Sequence, residues 1–233
     1  MELATSARTD AATFLAGDLS RMLMDYQKRA IPTLLFLSGG SALTALDGIT
    51  PESLSGLITI TTLDERYDPT GRNANFVALS KAPFFRRAEM RGVQIVDTCV
   101  LVGESQTELA DRMESEVRAW KTQYPQGVCI AIAGVGAEGH IAGMMPYPEN
   151  PPRFAELFEG ERWFIGYDAK NKNEFPLRVT ATMTFLRKLT HVFAYIQQKG
   201  KEAAIEKMKT PGPLAECPAR VLQEIPGALY LQT

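Results

Sequence analysis

Hydrophobic positions fall into two alternating kinds of run along the 233-residue chain. Phe14, Leu15, Leu19, Met22, Leu23 and Tyr26 recur at steps of three and four, which predicts a helix over 11–29 with one apolar stripe against a core. Pro32 closes that stretch. Thr33-Leu34-Leu35-Phe36-Leu37 follows as a short, almost wholly apolar run ending near Gly39-Gly40, the pattern of a strand buried on both faces. Comparable runs stand at 57–63, 93–96, 128–133, 163–167, 192–196 and 228–231. Helical spacing returns at Leu109, Met113, Val117 and Trp120, and again over 201–208. Apolar strands separated by helices predict an α/β fold, a mainly parallel sheet with helices on both faces. No linker divides 1–233, and Pro146–Pro152, with four prolines in seven residues, reads as an irregular loop too short to separate two units. A single domain is expected.

Composition excludes more than it proposes. With 45% hydrophobic and 22% charged residues, the chain has the make-up of an ordinary globular protein and not of a disordered or collagen-like one. Lys and Arg number 25 against 27 Asp and Glu, a net charge of −2, so a broad basic surface for nucleic acid or an anionic membrane is not expected. No window approaches the ~20 consecutive apolar residues of a membrane span, and the first residues, with Glu2, Arg8 and Asp10, lack the apolar core of a leader. Three cysteines without CxxC spacing, one of them inside the apolar run at Cys129, fit a reducing cytoplasmic compartment.

Ligands in an open α/β sheet collect at the carboxyl ends of the strands, which directs attention to three loops. Ser38-Gly39-Gly40-Ser41 follows the strand at 33–37 and precedes a helical turn starting at Ala42-Leu43. It reads either as a phosphate cradle of backbone N–H groups and hydroxyls or as a tight turn with Ser41 as N-cap. Asp64-Glu65-Arg66-Tyr67 ends the run at 57–63, where a guanidinium suits a phosphate and a charge run equally suits a solvated loop. Gly134-Val135-Gly136-Ala137-Glu138-Gly139-His140 follows the run at 128–133. Its glycines match G-x-G-x-x-G, but Gly143 and the prolines after it leave room for barely one helical turn, so the dinucleotide reading fails. What remains is a glycine-rich loop presenting a carboxylate and an imidazole. Of the two histidines, His140 is the candidate general base; His191 opens a strand and reads as structural. Arg178 and Lys201 add cations near strand ends. No spacing of ligands suggests a metal site.

Taken in order, Leu37 to Ser41, Leu63 to Arg66 with Asn73 to Phe76, Gly134 to His140 with Pro146, Arg178-Val179-Thr180 and Gly200 to Ala203 resemble the glucosamine-6-phosphate isomerase/6-phosphogluconolactonase superfamily. The resemblance implies a modified Rossmann-like fold. The Asp-Glu-Arg form of the second motif is similar to the lactonase branch; the deaminase branch carries a catalytic glutamate five residues after the histidine, where this chain has Met145. The only nearby acid to replace it is Glu149. The chain departs from the lactonase pattern at Glu138, Ile141, Ala42 and Leu43, where Asp, Thr, Thr and Pro are usual.

The resemblance implies hydrolysis of a sugar-phosphate lactone. His140 would take a proton from water, Glu138 or Asp64 would orient its ring, and backbone N–H groups of the glycine loops would face the oxyanion. Ser38, Gly39, Gly40, Ser41, Arg66, Arg178 and Lys201 would hold the phosphate. The expected ligand is a small sugar phosphate, with no cofactor or metal, on a monomer or small homo-oligomer. The alternatives are a deaminase or isomerase and a non-catalytic sugar-phosphate-binding protein on the same fold.

Overall fold

The computed structural model describes residues 4–7, 11–40, 42–196, 199–225 and 227–232. Ser41, one of the expected phosphate-binding residues, lies outside them. Among the described residues the chain runs β1 (Ala4–Ala7), α1 (Ala11–Lys28), β2 (Thr33–Leu37), α2 (Ala42–Ala45), β3 (Ile58–Thr62), β4 (Asp64–Arg66), α3 (Asn75–Ser80), α4 (Pro83–Met90), β5 (Gln94–Ile95), α5 (Gln106–Gln123), β6 (Val128–Gly134), α6 (Pro151–Phe158), β7 (Phe164–Asp168), β8 (Leu177–Ala181), α7 (Met183–Leu186), β9 (His191–Ile196), α8 (Glu202–Lys209) and β10 (Ala228–Gln232). Seven strands form a parallel sheet in the order β1-β10-β9-β6-β2-β3-β5.

Alternation along the central strands builds both cores. In β2, Leu34 and Phe36 join a cluster with Leu109, Met113, Val117 and Trp120 of α5, while Leu35 and Leu37 join the opposite cluster with Leu15, Leu19 and Leu23 of α1. In β6 the first face takes Cys129, Ala131 and Ala133 and the second takes Ile130 and Ile132. A strand buried on both sides has no polar position to spare, which is why these runs are apolar throughout. The expected α/β sheet with helices on both faces is therefore present. Helix α5 starts where the sequence chemistry says it must. Ser105 accepts from the Glu108 N–H, and the Glu108 carboxylate accepts from the Ser105 N–H, a reciprocal cap.

Three expectations are corrected. The run at 163–167 does form a strand, but β7 belongs to a separate antiparallel sheet, β4-β8-β7. Residues 64–66 are not a loop at a strand end; they are β4 itself, paired with β8. Pro151 and Pro152 do not extend the irregular loop. They open α6, where the Asn150 side chain accepts from the Arg153 N–H at 3.1 Å, since the first helical positions need no N–H donor.

Leu63 is where the chain passes from one sheet to the other. Its N–H donates to Leu37 O of β2 at 3.1 Å, and its carbonyl accepts from the Ala181 N–H of β8 at 3.1 Å. The small sheet lies against α5, fastened by Gln106, whose side-chain amide donates to Tyr167 O at 2.8 Å and Arg178 O at 2.9 Å. At Gly166 a β-carbon would sit 2.9 Å from both Gln106 O and Gln106 Cγ. Gly166→Ala should therefore push α5 off β7 and lower stability by about 1–3 kcal/mol, read as a reduced urea midpoint with an unchanged m-value.

Candidate active site

Chain segments from distant parts of the sequence meet beyond the carboxyl ends of β2, β3 and β6. They enclose a cavity of about 290 Å³ whose walls include Ser38, Gly39, Gly40, Asp64, Arg66, His140, Arg178 and Lys201, close to the lower end of the roughly 300–1,000 Å³ usual for ligand sites. Residues scattered over more than 160 positions of sequence are thus brought together. Glu138 stands behind His140, hydrogen-bonded to it.

The antiparallel register of the small sheet decides which side chains enter. Asp64 pairs with Thr180, Glu65 with Val179, and Arg66 with Arg178. Since alternate residues point to opposite faces, Asp64, Arg66, Arg178 and Thr180 share the cavity face and Glu65 takes the other. Two arginines therefore stand directly opposite one another, a destabilising arrangement for like charges. Asp64 offsets it. Its carboxylate forms a buried ion pair with the Arg178 guanidinium and accepts from Asn75 Nδ2 at 3.2 Å. Burial and the nearby Arg178 charge both pull the Arg66 pKa down.

Three buried side-chain polar atoms have no hydrogen-bond partner among the described residues: Ser38 Oγ, Arg66 Nε and Arg178 Nε. All three residues line this cavity. Buried donors are rarely left unpaired, and two guanidinium N–H groups with a hydroxyl match the acceptor oxygens of an anion.

On the opposite wall the glycine loop presents His140. Its Nδ1 lies 2.8 Å from Glu138 Oε1. The carboxylate can only accept, so Nδ1 carries the proton and a neutral ring leaves Nε2 as acceptor. The hydrogen bond from His140 holds the Glu138 pKa below its usual range, which keeps it ionised. Of the two carboxylates expected to orient the ring, Glu138 makes the contact and Asp64 is engaged by Arg178. Gly136 must be glycine: a β-carbon there would lie 2.0 Å from His140 Nδ1. The loop is also folded on itself, Gly136 N–H donating to His140 O and Gly139 N–H to Gly136 O, each at 3.0 Å. These two N–H groups are thus engaged within the loop itself. Lys201 Nζ donates to Val135 O at 2.5 Å; burial lowers its pKa while the Glu138 charge opposes that.

The small sheet also anchors the glycine loop. Tyr167 OH donates to Gly143 O at 2.6 Å and accepts from Met145 N–H at 3.1 Å, and Thr180 Oγ1 accepts from Gly143 N–H at 2.9 Å. Met145 is fully buried. Glu149, the only sequence candidate for the missing deaminase acid, pairs with Lys172 at 2.6 Å and borders a different cavity. His191 lies at the amino end of β9, where its Nε2 is 2.7 Å from Tyr26 OH. No three His, Cys, Asp or Glu side chains converge as metal ligands among the described residues, and no helix there is long and apolar enough to cross a membrane.

Sequence reasoning missed Glu65, Asn75 and the segment Asn173-Glu174-Phe175. Glu65 is fully buried beneath β4. Its carboxylate accepts from the N–H groups of Arg66 at 2.7 Å, Phe76 at 2.9 Å and Asn75, and from Thr98 Oγ1 at 3.0 Å, capping α3 from outside. Its place in a charged triplet concealed this.

A covered parallel sheet with a polar cavity at its carboxyl edge defines an α/β protein whose candidate site suits a small anionic ligand. The chain belongs to the glucosamine-6-phosphate isomerase/6-phosphogluconolactonase family, whose model matches residues 6–231. Its fold is that of a 6-phosphogluconolactonase from Thermotoga maritima, at a TM-score of 0.75 and 19% identity over 100% of both chains. A 6-phosphogluconolactonase from Trypanosoma cruzi gives 0.76 and 16% identity, covering 99% of this chain and 94% of that one; the Trypanosoma brucei enzyme gives 0.74 and 14%, covering 99% and 96%. No curated protein matches in sequence.

Burial pushes the Glu65 carboxyl up to about 7 from an ordinary 4.5, against the opposing pull of its backbone donors. The folded state then keeps a proton that the unfolded chain has already lost over the interval from pH 4.5 to 7. The stability it contributes is complete below 4.5 and is lost as pH rises through 7. Glu65→Gln removes this slope, so urea unfolding from acid to neutral pH should shift in the variant's favour relative to wild type by up to about 3 kcal/mol.

Proposed function

We propose that this protein is a 6-phosphogluconolactonase, hydrolysing 6-phospho-D-glucono-1,5-lactone to 6-phosphogluconate in the oxidative branch of the pentose phosphate pathway. One observation carries the reading: a single cavity holds both the histidine paired to Glu138 and the three buried polar atoms without partners. A candidate base and an anion-matching set of donors around one small cavity support a substrate that is both phosphorylated and attacked by water.

Water is a poor nucleophile at neutral pH, so His140 Nε2 takes its proton as the oxygen bonds to the lactone carbonyl carbon. The ring C–O bond then breaks, and the imidazolium returns the proton to the departing ring oxygen. The new carboxylic acid ionises, releasing one proton to solvent. Glu138 holds the ring and stabilises its charged form. Donors that line the cavity, among them backbone N–H groups of the glycine loops, face the charge that develops on the carbonyl oxygen. Ser38, Gly39, Gly40, Arg66, Arg178 and Lys201 hold the phosphate, so remote binding energy orients the carbonyl. The whole chain acts as one cytoplasmic α/β domain, needing no cofactor.

Freshly generated 6-phosphogluconolactone mixed with the protein should release acid faster than its spontaneous hydrolysis. His140→Ala should lower kcat by about 10²- to 10⁴-fold with thermal stability unchanged, whereas His191→Ala should spare it. Wild-type kcat in His140→Ala would refute the base assignment.

Removing the phosphate should matter as much as removing its holder. Unphosphorylated gluconolactone should show a far lower kcat/KM, and Arg66→Ala should cost the phosphorylated substrate roughly 1.5–3 kcal/mol while barely affecting the other. Equal losses on the two lactones would mean that Arg66 does not bind phosphate.

A further inference from the structure

The two opposed arginines are held by different forces. Arg178 is pinned at its edge by the Asp64 carboxylate, which occupies N–H donors and offsets its charge. Among the described residues the Arg66 guanidinium forms no ion pair, and its hydrogen bond is a 3.4 Å contact from Nη1 to Asn73 O. What fixes it is a ring: Arg66 Cζ lies 4.2 Å from the centroid of Phe175. A guanidinium stacked on an aromatic face is restrained through its own face, leaving its edge donors and its charge available.

Phe175 is itself held in place. Its N–H donates to Asn173 Oδ1 at 3.0 Å, a local Asx turn, and Pro176 confines the backbone before it to extended conformations. The ring also divides space. Arg66, Glu174 and Phe175 border both the 290 Å³ cavity and a second one of about 190 Å³ on the far side, walled by Tyr67 and Leu177. The stacked pair is common to the walls of both.

We propose that Phe175 is a positioning residue of the anion site: it holds Arg66 flat against the cavity wall with Nε directed inward, and closes the cavity on that side. The inference rests on the sugar-phosphate reading of the cavity. Rigid presentation reduces the side-chain freedom lost on binding, so the ring's contribution appears in affinity for the phosphorylated ligand and not in the chemical step.

The test uses the full-length protein with Phe175→Leu, which keeps apolar bulk and removes the π face, and Phe175→Tyr, which keeps both. Two readouts are taken: calorimetric binding of 6-phosphogluconate, and steady-state hydrolysis of the phosphorylated and unphosphorylated lactones. Phe175→Leu should raise the Kd for 6-phosphogluconate and the KM for the phosphorylated lactone by about 3- to 30-fold, with kcat and the unphosphorylated substrate unaffected. Phe175→Tyr should behave as wild type, and Phe175→Leu added to Arg66→Ala should weaken binding no further. An unchanged Kd in Phe175→Leu, an equal loss on both lactones, or a further loss without Arg66 would each overturn the proposal. If wild type binds 6-phosphogluconate through this pair yet hydrolyses no lactone, the lactonase reading falls and the role of Phe175 stands. If it hydrolyses the lactone and Phe175→Leu changes nothing, the reverse holds.

Discussion

Arg66 and Arg178 face each other across β4 and β8, and much of the structure around the cavity serves to make that tolerable. Like charges in direct cross-strand register repel, and half-burial withholds the water that would screen them. The protein offsets one of the two with a buried carboxylate and leaves the other with its charge. Breaking the Asp64–Arg178 pair would leave a charge uncompensated inside the protein, a loss of about 3–5 kcal/mol. Asp64 is accordingly braced a second time by Asn75, whose Nδ2 also donates to Asp64 O at 3.0 Å. Asn75 in turn opens α3, the helix capped by Glu65 from the reverse face of the same strand. The two acids of one triplet thus work on opposite sides of β4.

This explains why a second sheet is needed. A parallel sheet delivers its strand ends to one edge, but side chains there sit on loops and are only as rigid as the loops. By passing through Leu63 into an antiparallel partner, the chain places two guanidinium groups and a threonine on strands instead. The same sheet holds the glycine loop from beneath through Tyr167 and Thr180. His140 and the two cavity arginines are therefore set by one rigid platform, the condition for orienting a small molecule between them.

Much of this was legible in the chain, for identifiable reasons. The central strands announce themselves because burial on both faces leaves unbroken apolar runs, and α1 and α5 do so through their helical stripes. His140 and the loop around it stand out because glycines after a buried strand are a local feature. The small sheet was not legible. β4 and β8 are short, charged and flanked by polar residues, so their pairing is a tertiary fact that no local period records. Phe175 and Glu65 were hidden for the same reason, since their roles depend on which strand lies opposite. The proline-rich segment misled because proline both breaks helices and starts them, and only the Asn150 cap distinguishes the two.

The departures from the lactonase pattern fall mostly on side chains that serve packing. Ala42 is buried in the core beneath α1, and Leu43 packs against the same cluster. Ile141 is buried in the opposite core and pairs through its backbone with Val135 and Met144, so an apolar side chain there meets neighbours and not ligand. Glu138 is the exception, since its carboxylate touches His140 directly. Its arm is one methylene longer than aspartate, and the extra length must be taken up locally. Gly136 provides that room: its missing β-carbon would meet Glu138 Oε2 at 2.6 Å as well as the imidazole at 2.0 Å. The longer acid and the bare glycine are a matched pair, and together they keep His140 Nδ1 at hydrogen-bonding distance from a carboxylate.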